Sequence, residues 1–239
     1  MQQKRNLDYN YKYMAVDGGP NEIVTNGLIL ALDTANVSSY FSGSSTWKDL
    51  NGNYTGTLTN SPGFSTDSLG SISFNGTNNF VNFLNQNFSV TGNNARSLFC
   101  WVKSSSAASK CIVSTGTANT GQSFNLVTYN SNKVGVMGYN LDFYPANGAN
   151  IFDGKWHYIG AIADGSSTTT TYVDGAVDNT QGTLTYSTTG QNNYIGKSSH
   201  VGNENYWNGN IGIVHYYNRA LSLSEIQKNY NALRLRYRV

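Results

Sequence analysis

KWHYIGAIADGSSTTTTYVDG, residues 155–175, alternates and breaks as two strands would. Its apolar and β-branched runs fall at Trp156–Ala163 and Thr169–Val173, separated by the polar turn Asp164-Gly165-Ser166-Ser167. A second turn opens at Asp174-Gly175, a pair that accepts the positive φ angles of a tight hairpin. Working outward, the same grammar recurs along the chain. Short apolar segments at 28–32, 56–59, 70–74, 80–83, 97–103, 111–114, 123–128, 133–137, 193–195 and 210–217 are bounded by Gly, Asn, Ser or Asp. A dozen strands at that spacing predict an all-β sandwich or barrel, with no alternation of strands and helices.

Composition agrees. Seventeen Tyr, ten Phe and four Trp supply bulk for a pleated core, and 25 Gly supply turns. At 239 residues, one sandwich with appended ends accounts for the length. The charged fraction of 12% is low for a cytosolic enzyme and predicts an amide- and hydroxyl-rich exterior. Cys100 and Cys111 lie in apolar runs and read as buried, reduced thiols, close to each other if their strands pair.

One helix is legible. Ser222-Leu223-Ser224-Glu225 is a capping box, and Leu221 with Ile226 forms a hydrophobic staple across it. The helix is expected from Leu223 to about Leu233, with Ile226, Tyr230 and Leu233 on one face. The closing RLRYRV alternates basic and apolar residues and reads as an extended tail.

The net charge of +2 hides a division. Residues 1–12 and 228–239 hold seven of the 15 basic residues and one acid, whereas the body between them is net negative. Basic ends on an acidic body point to arms that dock on an acidic partner; solvated ends give the same pattern. Tyr9, Tyr11 and Tyr13 alternate as in an extended segment with one sticky edge. The start lacks an apolar core of signal-peptide length, and no run is long enough to span a membrane as a helix. Export by the ordinary route is therefore not expected, despite the extracellular look of the surface.

The spacing of Trp156-His157 and Tyr172-Val173-Asp174-Gly175, together with the C-terminal GNIGIVHYYNRALSLSEIQKNY, resembles laminin-G-like domains of the concanavalin A-like lectin and glucanase group. The front is more specific. IVTNGLILALDTAN, then SY, TWKDLNGN and GTLTNSPGF, is similar to a group found in tailed-phage virion proteins. The resemblance implies an all-β, two-sheet antiparallel jelly-roll sandwich with one short C-terminal helix. The parts would be an arm over 1–22, the sandwich over 23–221, and a helix with a basic tail over 222–239. It also implies a non-enzymatic virion structural protein (capsid decoration, fibre, or tail or baseplate accessory) exposed on the particle exterior. Other virion proteins and further copies of the chain are the expected partners, with host-surface glycans in addition, and neither nucleic acid nor membrane. Lys4, Arg5, Tyr9, Tyr11, Lys12, Tyr13, Arg234, Arg236 and Arg238 would form the anchor.

Catalysis finds little support. Glycanases of this sandwich carry paired carboxylates, in the retaining members as E-x-D-x-E along one strand. The three glutamates, Glu22, Glu204 and Glu225, make no such motif, and Asp174 with Asp178 is more simply a turn. His157 and His215 have nothing nearby that completes a constellation. No cofactor is expected. Calcium is the open case, since Asp33, Asn36, Asp49, Asn51 and Asn53 offer hard oxygens from loops that also read as ordinary turns. Carbohydrate binding remains: Tyr139, Asp142 and Tyr144 combine aromatic faces with a carboxylate, while Trp47 and Trp207 read as packing. A free carbohydrate-binding module is the alternative reading, and a degenerate glycosidase a third.

Overall fold

A computed structural model describes residues 22–106, 110–129, 133–190, 193–200 and 205–239. Its strands form two antiparallel sheets, numbered here in chain order. The first contains β1 (Leu28–Asp33), β4 (Gly63–Ser65), β5 (Ser71–Asn75), β7 (Arg96–Lys103), β11 (Trp156–Ala163), β12 (Thr169–Val173), β13 (Ala176–Gln181) and β15 (Asn208–Tyr217). The second contains β2 (Thr46–Lys48), β3 (Thr55–Thr59), β6 (Phe80–Asn82), β8 (Lys110–Ser114), β9 (Asn125–Tyr129), β10 (Lys133–Met137) and β14 (Tyr194–Ile195). The first runs β13-β12-β11-β7-β15-β5-β4, with β1 also on β15; the second runs β10-β9-β8-β14-β6-β3-β2. This is the expected jelly-roll sandwich.

The first sheet explains why β7 and β11 are apolar at nearly every position. They pair from Trp156↔Lys103 to Ala163↔Arg96. Leu98, Cys100, Val102, Ile159 and Ala161 face the core between the sheets. Their neighbours Phe99, Trp101, Trp156 and Tyr158 face outward, into a second apolar layer. A sheet buried on both faces reads as a continuous hydrophobic run. Gly160 is required here, because a Cβ would collide with the Phe99 ring.

The outer layer is closed by helix α1, Leu223–Tyr237. Its capping box is present as expected: the Ser222 side chain accepts from the Glu225 amide, and the Glu225 carboxylate accepts from the Ser222 amide. Arg219 donates to both Glu225 oxygens, at 2.9 and 2.6 Å. That pair, ahead of the other contacts, holds the Glu225 carboxyl down at about 2. Tyr237 stacks on Trp101 with centroids 4.2 Å apart, and Tyr230 stacks on the same indole at 5.8 Å. Buried Asn229 accepts from the Val24 amide at 2.7 Å and donates to the Tyr217 hydroxyl at 3.0 Å, which ties the entry of the chain to the helix.

Two expectations need correction, on the helix end and on the strand list, and one open condition is decided. The helix continues to Tyr237 instead of giving way to an extended tail near Leu233. Tertiary contacts outweigh the local alternation: Tyr237 stacks on Trp101, and Arg236 reaches Asp33 at 2.7 Å with both side chains almost fully buried. Arg236 is therefore spent inside the fold, also donating to the Ser68 carbonyl. Cys100 and Cys111 are free and buried as expected, yet their strands do not pair, since β7 and β8 belong to opposite sheets. Finally, β2, β4 and β13 were not expected; β13 is a largely exposed edge strand, AVDNTQ, without the alternation of a half-buried strand.

Candidate functional site: the outer face of the second sheet

With α1 and Ile23–Val24 covering the first sheet, the outer face of the second carries no helix among the described residues. Alternation fixes what it presents. Leu126, Val134, Val136, Val81 and Ile195 point into the core. Their neighbours Tyr129, Lys133, Phe80 and Tyr194 point outward. Cys111, Val127 and Met137 form a small separate apolar cluster on this face, with Tyr144 packed against it.

Tyr144 stacks on Tyr129, with ring centroids 3.9 Å apart and planes 15° from parallel. The two rings border a slot also lined by Lys110, Val127, Thr128, Met137 and Asn205. The Asp142 carboxylate accepts from the Gly138 amide at 2.8 Å and bonds the Tyr144 hydroxyl. Burial first, and then Asp142, push the Tyr144 hydroxyl well above its ordinary pKa, so it remains a neutral donor. Tyr139, in a left-handed turn conformation, sets its ring edge-on to His200 at 4.7 Å. Burial lowers the His200 pKa against the opposing pull of Asp142. Among the described residues His200 Nε2, Ser199 Oγ and Asn125 Nδ2 have no hydrogen-bond partner. Further along the face Lys197 lies over the rings of Phe80, Tyr194 and Tyr206, at 4.8, 4.7 and 5.8 Å.

The structure thus brings Tyr139, Asp142 and Tyr144 to one region on the outer side of the second sheet. Sequence reasoning missed Tyr129, Lys110, Asn205 and His200. Tyr129 carried a usable signal, as the outward position of N-L-V-T-Y at the strand end. Lys110, Asn205 and His200 come from distant segments, and only the fold places them here.

Other candidates lie elsewhere. His157 is held between Asp174 at 2.8 Å and Asp153 at 3.1 Å. Burial pulls its pKa down, but the two carboxylates outweigh it and the net shift is upward. Asp178 accepts from the Ala149 amide. His215 is buried with Nδ1 unpartnered among the described residues, and burial, then Arg236, push its pKa down to about 3. Of the candidate calcium oxygens, Asp49 accepts from the Ala31 and Asn53 amides, Asp33 from the Ala35 amide and Arg236, and Asn36 from the Ser38 amide. Among the described residues no group of three or more His, Cys, Asp or Glu is placed to hold a metal ion. Of the anchor residues, Arg234 and Arg238 are exposed on α1 and its cap, flanking Leu235, which is 77% exposed. Lys4, Arg5, Tyr9, Tyr11, Lys12 and Tyr13 lie outside the described residues.

A two-sheet antiparallel jelly roll with a helix on one outer face and, among the described residues, none on the other defines the class: a lectin-like β-sandwich. The chain belongs to the concanavalin A-like lectin/glucanases superfamily, whose laminin-G-type family model matches residues 75–227, more than half of it. No curated protein matches it in sequence. Among solved structures it is similar to domain 4 of an extracellular GH43 arabinanase from Geobacillus stearothermophilus, solved in complex with arabinotriose. There the TM-score is 0.64 at 16% identity, over 85% of this chain and 98% of that one. Trypanosoma rangeli sialidase matches with a TM-score of 0.65 at 17% identity, over 95% of this chain but 37% of the sialidase. The botulinum neurotoxin serotype D binding domain matches at 0.61 and 15%, over 85% of this chain and 51% of that domain. These likenesses establish the fold.

Proposed function

We propose that the chain is a non-enzymatic lectin-like module that binds glycans on the outer side of its second sheet, carried on the exterior of a phage particle. The observation that carries the glycan reading is the Tyr129–Tyr144 stack bordering a slot with Lys110, Thr128 and Asn205. Sugars combine an apolar ring face with a belt of hydroxyls, so a site needs aromatic surface beside a few oriented polar groups. The arabinotriose bound by the arabinanase domain of similar fold supports the same direction. A glycan array with the native chain and with Tyr144→Ala tests it. Binding in the native chain that falls at least tenfold in the variant is the expected result, and an array with no hits sinks the reading.

The particle reading has its own support. Arg234, Leu235 and Arg238 are exposed at the end of a rigidly docked helix, where cations around an apolar side chain suit an acidic protein surface. The phage-like opening segment adds to it. Mass spectrometry of purified virions should find the chain, and deletion of residues 1–22 should abolish incorporation. Particles that lack the native protein, or that take up the truncated one normally, refute the anchoring role.

A further inference from the structure

Resting on the particle reading, we propose that the corner of the sandwich where α1 ends is a docking surface for an acidic segment of a neighbouring particle protein. Among the described residues seven large apolar side chains are exposed. Four of them, Val37, Phe41, Leu69 and Leu235, belong to three segments that meet at this corner, and they are 48–77% exposed. Arg236, next to Leu235 in the helix, donates to Asp33 and to the Ser68 carbonyl. The Thr34 hydroxyl donates at 2.6 Å to the carbonyl of Gly70, the neighbour of Leu69. A turn closed by the Tyr40 amide on the Asn36 carbonyl, at 2.9 Å, carries Val37 and leads into Phe41. The Tyr40 ring turns inward and lies 5.4 Å from Phe64, whose edge in turn abuts Gly70.

The backbone holds Leu69 outward against its local preference. Ser68 and Leu69 take φ of 53° and 67°, in the left-handed region that bulky side chains rarely enter. Such strain persists where neighbours fix it, and here Arg236 and Thr34 grip the carbonyls on either side of Leu69. Exposed cations lie on the same segments: Lys48, whose amide bonds the Ser39 carbonyl of the turn, and Arg234 and Arg238 at the helix end. The carboxylates of these segments, Asp33 and Asp67, are paired with Arg236 and Lys103. An apolar centre with a cationic border complements a protein segment of acidic and apolar residues. A second copy related by a two-fold axis would set like charges against each other. Anionic lipid is held by clusters of about four to eight basic residues, more than this corner offers.

Particles assembled without the chain, mixed with purified full-length protein and pelleted, test the contact. The native chain should co-sediment, and added salt or poly-L-glutamate should release it. Val37→Ser/Phe41→Ser and Arg234→Gln/Arg238→Gln should each weaken binding at least tenfold. Val177→Ser, an exposed apolar site on the opposite edge of the first sheet, should leave it unchanged. Corner variants that bind normally, equal loss in Val177→Ser, or binding insensitive to salt and poly-L-glutamate overturn the corner and leave the particle reading standing. A native chain that does not pellet also overturns the proposal, and its detection in purified virions by mass spectrometry would preserve the particle reading. Binding to phosphatidylglycerol vesicles as tight as to particles would reassign the corner to lipid. A dimer of the native chain that the corner variants dissolve would reassign it to a second copy. Thermal melts of each variant verify that the sandwich is folded.

Discussion

The Arg236 guanidinium sits against the Asp33 carboxylate and the Ser68 carbonyl, where the last turn of α1 meets β1. Removing one partner of a buried pair strands the other charge, at a cost of about 3–5 kcal/mol. Arg236→Met should therefore lower the urea midpoint by that equivalent, while Arg234→Met, at an exposed position, should leave it almost unchanged. Two histidines give pH dependences of opposite sign. His215 has a folded pKa of about 3 against 6.5 unfolded. Between those values the unfolded chain binds a proton the folded one does not, so stability drains as pH falls from 6.5 toward 3. His157 is shifted upward by Asp174 and Asp153, against the downward pull of burial. Its contribution is complete below 6.5 and is lost as pH rises through the folded value. Melting curves from pH 3 to 9 should show His215→Phe flattening the acid side and His157→Gln flattening the neutral-to-alkaline side. Unaltered slopes would contradict both assignments.

At the scale of the element, α1 owes its start to local sequence and its end to distant partners. The cap is self-contained in Ser222 and Glu225, with Arg219 as a neighbour in the chain. Ser222→Ala should cost about 1 kcal/mol, the usual price of an N-cap hydroxyl, in two-state denaturant unfolding. A change below a few tenths would mean that the docked helix face holds the first turn without its cap. The end was misread for a physical reason. Alternating Arg and apolar residues suit an extended strand when considered alone, but Leu233, Arg236 and Tyr237 each find a place on the sandwich. Strands show the same contrast. β7 and β11 were plain in sequence because they are buried on both faces. β13 was silent because AVDNTQ shows no period-2 alternation and is mostly exposed, with pairing to β12 as its main constraint.

For the molecule as a whole, the two outer faces of the sandwich are covered differently: α1 packs on the first sheet, whereas the segment around Phe143 and Tyr144 packs on the second. Removing residues 222–239 would uncover Phe99, Trp101, Trp156 and Tyr158, a contiguous aromatic surface that should drive association. Sedimentation of the truncated chain should show oligomers or aggregate; a monomer with native Trp fluorescence would mean that the first sheet tolerates exposure. The sequence by itself determined the strand count to within a few, the helix cap, the buried thiols and the lectin-like class. The strands, the cap and the thiols follow from local alternation, turn chemistry and capping, all of which act within a few residues. The class rested on the resemblance of Trp156-His157, Tyr172–Gly175 and the C-terminal segment to laminin-G-like domains. Tyr139, Asp142 and Tyr144 could be named as candidates, but not assembled into a site. Only the tertiary structure decided that Tyr129, Lys110, Asn205 and His200 join them, that Arg236 turns inward, and that α1 closes the first sheet rather than the second. In an antiparallel sandwich most neighbours are distant in sequence, and pairing between distant strands leaves no local trace.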